Sequence, residues 1–258
     1  MAPRGLKAAL KRTTPAKLVG RTRVQKGFRS LGRDGKPTGP RLRGLTKRLE
    51  ERLWSDGSLP SAATRSQTRR RGWGGADGGR RRGSAVDAQI SRCVNAGAVR
   101  PQNGQYVLTR VVFAALAEHG LQPVLAQRAT CCTRARLGTA ADLVCYNAST
   151  KACCVVELKC GFSGDRTATA LGAGGKPQCM KAPLNGAADC ILHRHLAQLA
   201  ATCQMLSDET ALATRLEALG LEPDLEGALL YVNDDQTDLY PLPQWWRRRG
   251  KKLVAAMR

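Results

Sequence analysis

The chain has 258 residues with 42 Lys/Arg against 20 Asp/Glu, a formal net charge of +22, ten cysteines and 4% aromatic residues. That length holds one domain of ordinary size with extensions, which excludes a disulfide-stapled mini-protein. No apolar run approaches the ~20 residues that span a bilayer and no secretory segment follows Met1, so an intracellular protein with no membrane contact is expected.

The charge is uneven. Residues 1–82 carry 23 Lys/Arg against 5 Asp/Glu, residues 83–246 carry 13 against 15, and residues 247–258 carry six basic residues and no acid. Three parts are expected: a basic, mostly disordered arm over 1–82, a nearly neutral folded domain over 83–246, and a basic tail over 247–258. Basic arms on a neutral body suit a polyanion, because Lys/Arg contacts to phosphates release counterions. A solvated arm or an address signal is the plain alternative, and the acid-free first 33 residues also fit a nuclear or organelle address. Arginines 69–71 and Arg80, Arg81 and Arg82 close the arm, and Arg80, Arg81 and Arg82 are its candidate nucleic-acid contacts. Only Leu45, Leu49 and Leu53 recur there at helical spacing.

Within the folded part, Val86, Ile90 and Val94 predict a helix from 84 that stops at Gly97. A second helix is expected over 109–119 and a short strand over 121–129. Residues 138–146 and 152–159 read as two apolar strands around the polar turn 147–151. A glycine-rich connection over 161–188 is long enough to be functional or mobile. Leu192, Leu196, Leu199, Cys203 and Leu206 mark a helix over 189–207, another follows over 210–219, and strands over 227–232 and 237–242 close the chain. The order is that of an α/β fold.

The cysteines form no Cys-x-x-Cys pair. Cys131-Cys132 and Cys153-Cys154 are adjacent, and neighbours on a strand face opposite sides, so they read as small buried apolar residues. A zinc site from Cys179, Cys190, His193 and His195 is disfavoured by irregular spacing.

Asp142 and Glu157-Leu158-Lys159 place charges at the ends of the two apolar strands. Alternation puts Glu157 and Lys159 on one face and Val156 and Leu158 on the other. Such charges are costly unless they pair or hold a cation. An ordinary Glu–Lys pair on a surface hairpin is the plain alternative; hard carboxylate oxygens would suit Mg²⁺ or Mn²⁺.

Gly138-x-x-x-Asp142-Leu143-Val144 followed by Val155-Val156-Glu157-Leu158-Lys159 is similar to the Asp…Glu-x-Lys core of the PD-(D/E)XK nuclease superfamily. The branch it resembles most contains RecB-type nuclease domains, λ-type exonucleases and viral alkaline nucleases. Three further runs agree: Gly83-Ser84-x-Val86-Asp87, where the family carries Glu or His; Glu157 to Phe162, resembling Glu-x-Lys-Thr-Gly-Tyr; and Gln198-x-x-x-Thr202, similar to Gln-x-x-x-Tyr. The resemblance covers 83–246. No proline precedes Asp142, and Asp87 and Thr202 depart from the family residues.

The resemblance implies a restriction-endonuclease-like core, a central mixed sheet flanked by helices, and a metal-dependent DNA nuclease, an exonuclease of replication, recombination or repair. It implies Mg²⁺ (or Mn²⁺) held by Asp142, Glu157, the carbonyl of Leu158 and Asp87. Lys159 would orient or help deprotonate water, and Gln198 would bond near the metal or scissile phosphate. Asp87 reads equally as a helix cap after Ser84, and Gln198 as part of a solvated face. Lys176 and Lys181 in the 161–188 connection would reach phosphates of DNA, or of RNA. A nucleus or a viral replication compartment follows as the expected location. The alternative function is a non-catalytic nucleic-acid-binding or packaging protein on a nuclease-like fold.

Overall fold

The computed structural model describes residues 1–22, 25–31, 36, 41–61, 78–161, 164–233 and 236–258; for 16–22, 25–27 and 78–80 only the backbone is described. Arginines 69–71 and Phe162 lie outside these residues. The elements run α1 (Leu6–Arg12), β1 (Ala16–Thr22), β2 (Gln25–Ser30), β3 (Arg41–Gly44), α2 (Leu45–Leu53), α3 (Gly78–Ala96), α4 (Val107–Glu118), β4 (Leu121–Cys132), β5 (Leu137–Asn147) and β6 (Ala152–Cys160). They continue with α5 (Ile191–Ser207), α6 (Thr210–Glu217), β7 (Glu222–Val232), β8 (Thr237–Pro241) and α7 (Gln244–Ala256).

The eight strands make one mixed sheet in the order β1-β2-β3-β5-β6-β7-β8, with β4 also paired to β5. β4, β5 and β6 are an antiparallel meander; α5 and α6 then cross over so that β7 runs parallel to β6, and β8 returns antiparallel. β6 is buried on both sides: Cys153 and Val155 pack in one apolar layer, Cys154 and Val156 in the other. A strand with two covered faces reads as a continuous apolar run, which is what Ala152 to Val156 presents. α3 and α4 cover one face, while α1, α2, α5, α6 and α7 cover the other.

The expected division at residue 82 does not hold. Leu6 and Leu10 of α1 and Leu45, Leu49 and Leu53 of α2 are wholly buried in the larger core. Average composition concealed this, because a few leucines at i, i+4 and i+8 are enough to anchor a helix when each buried side chain contributes about 1.5–3 kcal/mol. Removing residues 1–53 is therefore expected to unfold the protein rather than free a core domain. Leu49→Ala should cost about 3 kcal/mol, read as a lowered denaturant midpoint. A change below about 0.5 kcal/mol would detach α2 from the core.

The division at 246 fails for the same reason. The basic run lies in α7, where Trp246, Gly250, Leu253, Val254 and Met257 turn inward at helical spacing. A Cβ at Gly250 would sit 2.8 Å from the Ala200 carbonyl oxygen of α5, so only glycine allows this close helix approach. The two basic ends also meet: Arg48 donates to the Met257 and Arg258 carbonyls at 3.1 Å, satisfying acceptors at the end of α7.

The connection before α5 is packed rather than loose. Ala170, Met180, Leu184 and Ala187 are buried, and Lys181 N–H donates to the Leu53 carbonyl at 2.7 Å. Buried Asp189 closes this region, accepting from Arg194 at 2.6 and 2.9 Å and from Ser55 N–H and Oγ at 2.7 and 2.6 Å. Among the described residues no helix is long and apolar enough to cross a membrane.

Candidate active site

Glu157 is where β6 leaves its two-sided cover. Val155 and Val156 are fully buried, Glu157 is 3% exposed, and Leu158, Lys159 and Cys160 are partly exposed. Alternation sends Glu157 and Lys159 toward α5, while Leu158 and Cys160 pack with the α3/α4 layer.

Asp142 lies at a fork in the sheet. The β5–β6 ladder ends at the pair Leu143–Val156, and β3 takes up β5 only at Leu137 and Gly138. Freed from the ladder, the Asp142 carboxylate accepts a hydrogen bond from Leu158 N–H at 2.9 Å through Oδ2. Gly138 has its own reason to be glycine: a Cβ there would lie 2.5 Å from the Cβ of Phe28 on β2.

Glu157 Oε1 accepts from Lys159 Nζ and from Gln198 Nε2, each at 2.7 Å. Its Oε2 is buried and has no hydrogen-bond partner. A buried carboxylate oxygen without a donor is costly and calls for an explanation, of which an ion is one. Burial, and then the charge of Glu157, hold the Asp142 carboxyl well above its usual value, against the pull of Lys159 and the Leu158 amide. Burial alone would lower the Lys159 ammonium, but Glu157 and Asp142 more than reverse it, so Lys159 stays protonated.

α5 supplies three neighbours. Gln198 reaches Glu157 directly, so its polar face is turned inward rather than solvated. Thr202, fully buried, spends its hydroxyl on the Gln198 carbonyl at 2.9 Å. His195, which the sequence offered only in a disfavoured zinc set, has its Nδ1 2.7 Å from the Tyr231 hydroxyl. Burial, with Lys159 and Arg194 adding to it, holds His195 well below its usual pKa, so the neutral ring shares one hydrogen bond with the tyrosine hydroxyl. Tyr231 pairs with Lys159 across the β6–β7 ladder, and the Arg166 guanidinium lies 4.4 Å over its ring.

Asp87 sits nine residues into α3, well past the helix start, which removes its reading as a cap. Its Oδ1 accepts from Gln127 Nε2 at 2.8 Å, and the same nitrogen lies 3.4 Å from Asp142 Oδ1. Sequence reading missed Gln127 and Tyr231. His195 was legible as the residue one helical turn before Gln198; Gln127 carried no signal, because its role depends on a backbone angle.

The basic candidates divide. Arg80 enters the first turn of α3, Arg81 is exposed, and Arg82 is 6% exposed, so Arg82 is part of the fold rather than of a free arm. Burial, then Asp142 and Asp87, push the Cys160 thiol up to about 12, and the Arg82 charge opposes them. Lys176 is exposed; Lys181 pairs with Asp56 at 2.8 Å on the surface, a contact worth about 0–1 kcal/mol.

Zinc fares poorly. Cys179 is exposed and His193 Nδ1 is 2.7 Å from the Ala188 carbonyl. Among the described residues no group of three or more His, Cys, Asp or Glu side chains could hold a metal ion. Asp142 and Glu157 are two hard carboxylates, a donor type that suits a partly hydrated Mg²⁺ or Mn²⁺ better than an all-protein cage.

Asp189 supports the N-terminal end of α5. Burial alone would raise its carboxyl, but Arg194 and Ser55 lower it below its usual value of 3.8. A depressed carboxyl contributes stability above the unfolded value, and that contribution is lost as pH falls through the folded one. Asp189→Asn should therefore cost about 2–3 kcal/mol at pH 7. The gap from the native protein should close below about pH 4 in paired acid melts. A gap independent of pH would remove the ionised carboxylate from the explanation.

No protein-family model and no curated protein matches this chain.

Proposed function

We propose that the chain is a divalent-metal-dependent deoxyribonuclease with a restriction-endonuclease-like core, an exonuclease that processes DNA ends in replication, recombination or repair. The observation that carries this reading is Glu157 Oε2, a buried carboxylate oxygen without a donor, beside a second carboxylate whose ionisation burial opposes. The antiparallel meander followed by a helical crossover to a parallel strand supports the same assignment.

Asp142 and Glu157 would hold the cation, with the Leu158 carbonyl and Asp87 as further ligands. A bound divalent cation supplies positive charge to the phosphate oxygens and to the attacking water. The protein's own groups do the rest. Lys159, protonated and 2.7 Å from Glu157, is released toward phosphate or water once the carboxylate has another partner. Gln198 fixes the Glu157 carboxylate, and Thr202 stiffens the turn of α5 that carries Gln198. Exposed Arg81 and Lys176 offer charge to the nucleic-acid backbone.

The test incubates the full chain with linear DNA, circular DNA and RNA, in Mg²⁺, Mn²⁺ or EDTA, beside Glu157→Ala. Metal-dependent shortening of linear DNA, reduced on the order of 10³-fold by Glu157→Ala, is the expected result. Cleavage indifferent to EDTA or to that substitution would overturn it. One observation favours a second reading, a nucleic-acid-binding or packaging protein without catalysis: among the described residues no three His, Cys, Asp or Glu side chains are gathered so as to hold a metal ion. Binding without cleavage in the same assay would select it.

A further inference from the structure

Gln127 is where β4 departs from strand geometry. Its φ is 53°, a left-handed value that non-glycine residues seldom adopt and that glutamine has no special means to tolerate. The consequence is visible on both strands. Ala126 and its ladder partner Leu143 pack in the α3/α4 layer. Two residues along, Arg128 reaches Glu209 and Thr13 on the opposite side, and its ladder partner Ala141 packs there too. Residues two apart on a regular strand share a face, so both strands invert here, and the residues at the inversion are Gln127 and Asp142.

From that point the Gln127 carboxamide spans two elements. Its Nε2 donates to Asp87 Oδ1 of α3 at 2.8 Å and lies 3.4 Å from Asp142 Oδ1 of β5. Both partners are carboxylates, which only accept, so the amide nitrogen must face them. Like charges on separate elements repel, and a donor shared between them offsets that repulsion. A turn alone would be better served by glycine, so the strain points to the side chain.

We propose that Gln127 is a positioning residue that holds the α3 carboxylate Asp87 beside Asp142, so that a divalent cation can gather groups from two layers of the fold when it binds. This rests on the metal reading of Asp142 and Glu157 given above. Gln127 takes no part in bond breaking; it sets how many carboxylates the cation meets.

The test is Mn²⁺ binding by titration calorimetry and electron paramagnetic resonance, with melting in EDTA, for the full chain, Asp142→Asn, Gln127→Gly, Asp87→Asn and the Gln127→Gly/Asp87→Asn pair. Gln127→Gly should melt at or above the native temperature yet bind Mn²⁺ about 10–100-fold more weakly. Asp87→Asn should weaken binding similarly, and the pair should be no weaker than Asp87→Asn alone, because both changes remove one tether. Native Mn²⁺ affinity in Gln127→Gly, or losses that multiply in the pair, would overturn the proposal while leaving the metal reading intact. A native chain that binds Mn²⁺ no better than Asp142→Asn overturns the metal reading, and the proposal with it. Should Gln127→Gly melt early, Gln127→Asn serves instead: asparagine adopts the left-handed region readily and its amide is one carbon short, so the same weakening is expected.

Discussion

Asp142→Asn is expected to lower metal-dependent DNA cleavage on the order of 10³-fold and to raise the melting temperature in EDTA by roughly 2–4 °C at pH 7.5. The two effects have one cause. Burial, and then Glu157, hold the Asp142 carboxyl well above its usual 3.8, more than Lys159 and the Leu158 amide can offset. A raised carboxyl contributes most below its unfolded value, and that contribution is lost as pH rises through the folded one. Above the unfolded value the raised carboxyl therefore lowers stability, because ionising it costs more in the folded protein than in the unfolded chain. The amide has no charge to desolvate and keeps an oxygen to accept the Leu158 N–H, so about 1 kcal/mol should be recovered. It is also a poorer ligand for a hard cation, so the centre loses its chemistry. The gain should disappear below about pH 4, where the carboxyl is protonated in both states. Melting curves across pH 3.5–8 test this, and an unchanged or lower melting temperature at pH 7.5 would mean that the charge is comfortably held.

Glu209→Ala should destabilise the protein by about 3–5 kcal/mol, the largest stability loss expected from a single side chain outside the site. Glu209, just before α6, accepts from Arg128 at 3.0 and 2.6 Å and from Thr130 Oγ1 at 2.5 Å, and Arg128 also donates to Thr13 after α1 at 3.1 Å. The Arg128 side chain is 0% exposed. Removing its anion leaves a guanidinium in the core with no counter-charge. Burial raises the Glu209 carboxyl more than Arg128 and Thr130 lower it, so desolvation limits what the pair contributes. Arg128→Met with Glu209→Leu should therefore lose far less than Glu209→Ala alone, since no lone charge remains. Denaturant unfolding of the two variants checks this; equal losses would mean that the interaction, and not the stranded charge, dominates. The residue next to Gln127 thus fastens the inverted end of β4 to α1 and α6.

Local pattern carried much of the site. Glu157 and Lys159 could be placed on one face because alternation in a strand is a property of consecutive residues. The hairpin around 147–151 was legible from a polar turn between apolar runs, and α5 from its leucine spacing. Boundaries were less so: α3 begins at Gly78 rather than at 84, and β7 at Glu222 rather than at 227.

What composition obscured was the fate of the basic ends. Residues 1–82 and 247–258 were read by average charge, and averages hide a single apolar stripe such as Leu45, Leu49 and Leu53. Charge is solvated on one side of a helix while the other side packs, and only the stripe matters to the core.

The sequence by itself determined the trio of Asp142, Glu157 and Lys159 on neighbouring strands, the α/β order, and the helix that brings Gln198 to Glu157; Asp142, expected at a strand end, is in the middle of β5. The tertiary structure decided what those residues do to one another. The fork that frees Asp142 from its ladder, the positive φ that turns Gln127 toward Asp87, and the orphaned Glu157 oxygen each depend on where a second or third segment lies. Spacing along the chain encodes which face a side chain takes, but not which distant group will share that face, and burial and charge coupling are set by the latter.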